Sequence, residues 1–120
     1  MKIKIDKADQ QFSLYVRTRD KWTCQRCGRI HEEGSQGLHC SHFWGRGKEN
    51  TRFDEVNADA ICFGCHNFFH AHPAEHTKWK KKQLGDLEYD LLEKRADTMG
   101  KKDRKLMYLV YKQKNETFDS

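Results

Sequence analysis

Cys24-Gln25-Arg26-Cys27-Gly28 and Cys62-Phe63-Gly64-Cys65-His66 are the two stretches that decide how this chain folds, with 34 residues between Cys27 and Cys62. Each Cys-x-x-Cys spacing suits a tight turn holding two sulfurs side by side. Two such pairs enclose a tetrahedral ion at Zn–S distances of ~2.3 Å. Gly28 allows the backbone to fold under the first pair. The expected occupant is a structural zinc on Cys24, Cys27, Cys62 and Cys65. Thiolates also bind iron, so the spacing alone does not select the metal.

The composition explains why a staple is needed. Leu, Ile, Val and Phe number 22 among 120 residues, below the ~20% at which disorder competes with folding in a highly charged chain. Here 23 Lys and Arg against 18 Asp and Glu leave a net charge of only +5. Five Cys, seven His and three Trp are foreign to disordered tails. Small domains bury a lower fraction of their surface than large ones. Zinc affinity on the order of 10–16 kcal/mol, coupled to folding, would offset so thin a core.

Other classes are disfavoured. The longest apolar run, Leu106 to Tyr111, is far short of the roughly 20 residues of a spanning helix, so no membrane partner is expected. Met1-Lys2-Ile3-Lys4-Ile5-Asp6-Lys7 is too broken by charge for a secretory signal. A cytoplasmic location is therefore expected, where thiols serve metals rather than disulfides. The odd count of five leaves Cys40 spare. The positive balance permits nucleic-acid binding without requiring it.

The organisation predicted for residues 1–120 is one α+β domain. Asp6 caps a first helix over about 7–20, with Phe12, Tyr15, Val16 and Arg19 on one face. A zinc-stapled core follows over 22–72. Residues 31–61 carry glycines at 34, 37, 45 and 47, and short strands are expected at Leu38–Phe43 and near Phe53. The segment from His66 to His70 reads as helical. A helical extension then occupies 73–120. Pro73 opens one helix and Gly85 caps it; Asp86 starts another that ends at Gly100, with Leu87, Leu91, Leu92 and Arg95 on one side. A last helix, from about 102 to 114, would use Leu106, Leu109 and Val110.

Histidines form a second constellation. His66 and His70 are four apart on a predicted helix, so their rings share a face and suit a metal. The plainer alternative makes His70 and His72 solvated residues ahead of Pro73. His42 closes the strand candidate Leu38-His39-Cys40-Ser41-His42-Phe43, and a neutral imidazole there suits a general base for water. Asn57 lies between them, where a loop would bring its amide to orient the imidazole.

At His42, Asn57 and Cys62-Phe63-Gly64-Cys65-His66 the chain resembles the HNH (ββα-metal) nucleases, many of which carry two such knuckles. A narrower resemblance, over about residues 12–70, is to the phage NinG (Rap) recombination nucleases. It rests on Arg19-Asp20, Ser41-His42-Phe43, Thr51-Arg52-Phe53-Asp54 and Asn57. The resemblance implies a ββα-metal centre and a metal-dependent DNA endonuclease with His42 as base, Asn57 as orienting residue and His66 as metal ligand. Many HNH sites have an Asp or His ligand directly before the base, where this chain has Ser41. In the NinG-like pattern an acidic residue three positions before the base corresponds to His39. His39 or Cys40, with His70, would then complete the catalytic set; Cys40 alternatively packs as a small buried hydrophobe.

In this reading His42 deprotonates a water that attacks phosphorus in line with the departing 3′ oxygen. A divalent cation (Mg²⁺, Mn²⁺, Ni²⁺, Co²⁺ or Zn²⁺) offsets the charge building there. Arg46, Lys48, Arg52, Lys80 and Lys81 are expected to contact DNA phosphates, although a solvated helix face accounts for the lysine run equally well. NinG-like identity implies branched DNA such as a Holliday junction; a phage-encoded chain would act in the host cytoplasm, and cutting both strands would call for two active sites and so a homodimer. The alternative is a non-catalytic zinc module that binds branched or single-stranded nucleic acid, with Phe43, Trp44 and Trp79 stacking on bases.

Overall fold

The first helix starts where a cap is written. Asp6 accepts from the Asp9 amide at 3.0 Å, and the Asp9 carboxylate accepts from the Asp6 amide at 2.9 Å, a reciprocal capping box. In the computed structural model, which describes residues 4–118, α1 then runs Lys7–Arg19. Residues 1–3 of the charged N-terminal stretch, and residues 119–120, lie outside the described residues.

Five helices and one two-stranded sheet make up the regular α and β structure of the described residues, an α+β arrangement. After α1 come β1 (Leu38–His42), β2 (Ala58–Cys62), α2 (Phe63–Ala71), α3 (Pro73–Leu84), α4 (Asp86–Asp97) and α5 (Arg104–Phe118). The strands are antiparallel, with Leu38 opposite Cys62 and His42 opposite Ala58. This register puts His42 at one end of the sheet and the Cys62 knuckle at the other, where α2 begins. None of the helices is long and apolar enough to cross a membrane.

The strand expected near Phe53 is not there. Phe53 sits between two 3-10 turns, Glu49–Thr51 and Glu55–Asn57, and the second strand begins at Ala58. Side-chain bonds explain the difference. Asp54 accepts from the Val56 amide at 3.0 Å, and Arg52 turns inward to Asp9, so the segment folds on itself instead of extending.

Two apolar clusters flank the sheet. One joins Trp22, Cys24, Leu38, Ile61, Cys65 and Phe69; the other joins Ala8, Phe12, Val16, Phe53, Ala58 and Tyr111. Arg19 and Asp20 clamp β2 from the end of α1. Arg19 donates to the Glu55 and Ala58 carbonyls, both at 2.8 Å, while Asp20 accepts from the Ala60 amide at 2.9 Å. These two residues, noted as part of a motif, do structural work.

The C-terminal helices bury only part of the expected faces, Leu92 fully and Val110 partly, and leave the other leucines outside. α4 hides Tyr89, Leu92 and Ala96, whereas Leu87 is 72% exposed and Leu91 40%. Arg95 on that helix reaches Asp54 at 2.6 Å. α5 lies along α1 through Tyr111, whose ring meets Phe12 edge-on at 4.9 Å, and leaves Leu106 and Leu109 exposed. The aromatic residues win the interior because each buries more apolar area than a leucine. Gly85 turns the chain between α3 and α4 at φ 79°, a left-handed value that favours glycine.

Candidate metal centre and active-site cavity

The four knuckle cysteines converge as their spacing requires. Cys24 lies in a short turn secured by its own amide bond to the Arg29 carbonyl at 2.9 Å, and Gly28 provides the left-handed residue there at φ 78°. Cys62 caps α2 by accepting from the Cys65 amide at 3.5 Å, and Cys24 accepts likewise from Cys27. All four sulfurs lie within 4.8 Å of one another. A tetrahedron with arms of ~2.3 Å has edges of ~3.8 Å, and Cys27 Sγ stands 3.8 Å from Cys62 Sγ. The donor set therefore fits a metal ion and is compatible with structural zinc.

The four thiols differ in how readily they ionise. Burial disfavours the Cys24 thiolate, but amides of Cys27, Cys62 and Arg26 outweigh it and bring its pKa down to about 7. Burial pushes Cys65 up to about 12, although Arg26 donates to its sulfur at 3.3 Å. Four adjacent thiols resist ionising together unless a cation shares the site.

On the other side of the sheet end, His42 is fixed by its surroundings. Its Nε2 lies 2.9 Å from the Arg52 carbonyl, and its ring packs against Phe12 with centroids 5.6 Å apart. A carbonyl only accepts, so Nε2 carries the proton and Nδ1 holds the free lone pair. Nδ1 is buried and has no hydrogen-bond partner. Burial, reinforced by the Arg46 guanidinium, lowers the pKa to about 4, which keeps the ring neutral at pH 7.

Asn57 does not orient His42, contrary to the sequence reading. Its Oδ1 accepts from the Trp44 amide at 2.8 Å, and its Nδ2 donates to the Trp44 and Thr51 carbonyls at 2.8 and 3.0 Å. All three bonds pin the connection between the strands. Asn57 thus shapes the loop that presents the Arg52 carbonyl, and the backbone there orients the imidazole.

A cavity of about 340 Å³ opens beside this ring and is lined by His42, Trp44, His66, His70, His76 and Tyr89 among others. His66 stacks on His39 at 5.2 Å, and its Nδ1 is buried without a partner. Burial, then His39 and His70, lowers its pKa. His70 is exposed. Cys40 joins the Phe12 cluster, and burial pushes its thiol up to about 12. Among the described residues the four cysteines are the one group of three or more His, Cys, Asp or Glu donors this close together. His39, Cys40, His66 and His70 do not form a second.

The expected phosphate contacts divide. Lys48 and Lys81 are exposed and Arg46 is half-buried. Arg52 and Lys80 are interior residues and not the surface contacts expected. Arg52 donates to both oxygens of Asp9, at 2.9 and 2.6 Å, and Lys80 is 1% exposed and 2.7 Å from Asp59. An isolated buried charge is costly, so each holds a carboxylate instead of facing solvent. Lys80→Met is expected to destabilise the fold by about 3–5 kcal/mol by stranding Asp59. Urea unfolding checks this, and a much smaller loss in the Lys80→Met, Asp59→Asn double variant is the signature of the pair.

His76 was not singled out by the sequence, because its partners are aromatic and distant. It stacks on Phe69 at 4.2 Å and meets Phe43 edge-on. Burial, with Lys80, lowers its pKa from 6.5 to about 4. Between those values the unfolded chain binds more protons, so this contribution is complete above pH 6.5 and is lost as pH falls toward 4. After discounting for partial exposure it amounts to about 1–2 kcal/mol. His76→Phe is expected to show a shallower loss of stability over that range than the wild type. Parallel slopes in urea titrations of the two would contradict it.

Comparison with protein-family models, curated proteins and solved structures returns no match.

Proposed function

We propose that this chain is a metal-dependent DNA endonuclease of the HNH (ββα-metal) kind, with His42 as general base. The observation that carries the reading is the state of the His42 ring. Its Nε2 proton is committed to the Arg52 carbonyl at 2.9 Å, which leaves Nδ1 free on a neutral imidazole at a cavity wall. That is the tautomer and charge state a base needs before it accepts a proton from water. The order of β1, β2 and α2, with His42 at the end of the first strand and His66 on the helix, supports the same reading.

In the reaction, His42 Nδ1 takes a proton from water as the oxygen attacks phosphorus. The P–O3′ bond breaks, leaving a 5′-phosphate and a 3′-hydroxyl once the leaving oxygen is protonated by solvent. A divalent cation at His66, with His39 stacked beside it, His70 one turn along α2 and the remaining shell from water and phosphate, would offset the charge on the phosphate, while Cys40 stays in the Phe12 cluster. Zinc on Cys24, Cys27, Cys62 and Cys65 would hold the knuckles and β2 together and take no part in the chemistry. Branched DNA, such as a four-way junction, is the proposed preferred substrate.

The test is cleavage of supercoiled plasmid, linear duplex and four-way junction DNA with Mg²⁺, Mn²⁺, Ni²⁺, Co²⁺ or Zn²⁺. Cleavage that EDTA abolishes is expected. Salt-sensitive binding with no cleavage under any metal would replace the nuclease by a nucleic-acid-binding zinc module.

A further inference from the structure

Of two guanidiniums near His66, one has no carboxylate partner and the other only a long, shared one. Arg17, on α1, bonds through Nε to the Ser13 carbonyl at 3.2 Å and lies over the Trp22 ring at 4.9 Å; among the described residues it forms no ion pair. Arg46 comes within 3.8 Å of Asp9. That carboxylate is already taken, since Arg52 bonds both of its oxygens and the Asp6 amide adds a third bond. The Arg46 Nε is buried with no acceptor.

Both arginines line one cavity of about 360 Å³, with Ser13, Gln36, His39 and His66, and no carboxylate lines it. A buried donor without an acceptor costs free energy. The group that matches two guanidinium forks is an oxyanion, which receives short, charge-assisted bonds from each. We infer that this cavity is a phosphoryl-binding site in which Arg17 and Arg46 hold the oxyanion and Gln36 and Ser13 add neutral donors.

The owner of the phosphoryl group follows from the neighbouring cavity. His66 lines both this site and the one containing His42. A nucleic-acid backbone running past His66 places one phosphate at His42 and another between Arg17 and Arg46. This assignment to nucleic acid rests on the nuclease reading; the capacity to bind an oxyanion does not.

The first arm of the test titrates the wild-type chain with pyrophosphate to millimolar levels and follows the arginine Nε–H signals by NMR. The Arg17 and Arg46 signals are expected to shift saturably. If neither moves, the site is overturned. The second arm measures binding of 5′-phosphorylated and 5′-hydroxyl oligonucleotides against salt, in a His42→Gln background that slows cleavage. The Arg17→Gln, Arg46→Gln pair is expected to weaken binding roughly tenfold and to reduce the salt slope by about one, because both arginines share one phosphate. Arg17→Lys controls for lost packing on Trp22: it keeps the charge and the slope. A preference for the 5′-phosphorylated strand identifies a terminal phosphate as the source, and equal binding an internal diester. Shifted arginine signals without any DNA cleavage leave the site standing and remove the nuclease. Cleavage with unmoved signals and an unchanged slope does the reverse.

Discussion

Cys62→Ser is expected to lose metal binding and with it the cooperative fold. The substitution separates the metal from the residue's capping role. Cys62 caps α2 through its side chain, and serine is among the best N-cap residues, so the helix start survives the change. One of four sulfurs within 4.8 Å of one another is lost. Metal binding worth on the order of 10–16 kcal/mol is comparable to the whole stability of a small domain, about 5–15 kcal/mol. Weakening it leaves the Trp22 cluster without the link between the first knuckle, β2 and α2. Zinc content by elemental analysis, together with far-UV circular dichroism and thermal melting, checks the prediction, and EDTA treatment of the wild type should reproduce it. A Cys62→Ser chain that melts like the wild type without bound metal would falsify the staple.

Under the proposed nuclease function, His42→Gln is expected to lower the cleavage rate by about 10²–10⁴-fold while the fold, metal content and DNA affinity remain. Glutamine is preferred to alanine because its amide N–H can still donate to the Arg52 carbonyl, which His42 engages at 2.9 Å. His42→Ala would also open a gap against Phe12, mixing lost packing with lost chemistry. Single-turnover cleavage of a junction or plasmid substrate gives the rate, and salt-dependent binding gives the affinity. Wild-type rates in a folded His42→Gln chain would remove the base role from this residue. Asn57→Ala makes an informative contrast: it strands the Trp44 and Thr51 backbone groups, so it should lose stability as well as activity.

The parts of this structure that were legible in the sequence are those written by neighbours. Asp6 and Asp9 are three residues apart, and their capping box sets the start of α1. Pro73 opens α3 and Gly85 closes it through local backbone preference alone. Each knuckle is a local turn, and the need for four sulfurs around one ion joined the two knuckles across the chain. The residue types at His42, Asn57 and His66 were visible for a similar reason, since few roles call for them in that order beside a knuckle.

What each polar group bonds to was not written locally. Asn57 was read as a partner of His42, but it spends its amide on Trp44 and Thr51, and Arg52 supplies the carbonyl that holds the imidazole. Lys80 and Arg52 look like surface cations until Asp59 and Asp9 arrive from 21 and 43 residues away. Leu87 and Leu106 look like core until Tyr89 and Tyr111 take the interior. By itself the sequence determined the cysteine framework, the helix boundaries set by caps, and an α+β class with a histidine-bearing strand and helix. The tertiary structure decided which charges are buried, which ring nitrogen of His42 is free, and that Arg17 is left without a carboxylate while Arg46 shares Asp9 with Arg52. Spacing governs turns and chelation because those involve adjacent atoms. Burial and pairing depend instead on the low dielectric and the distant partners that appear only when the elements pack.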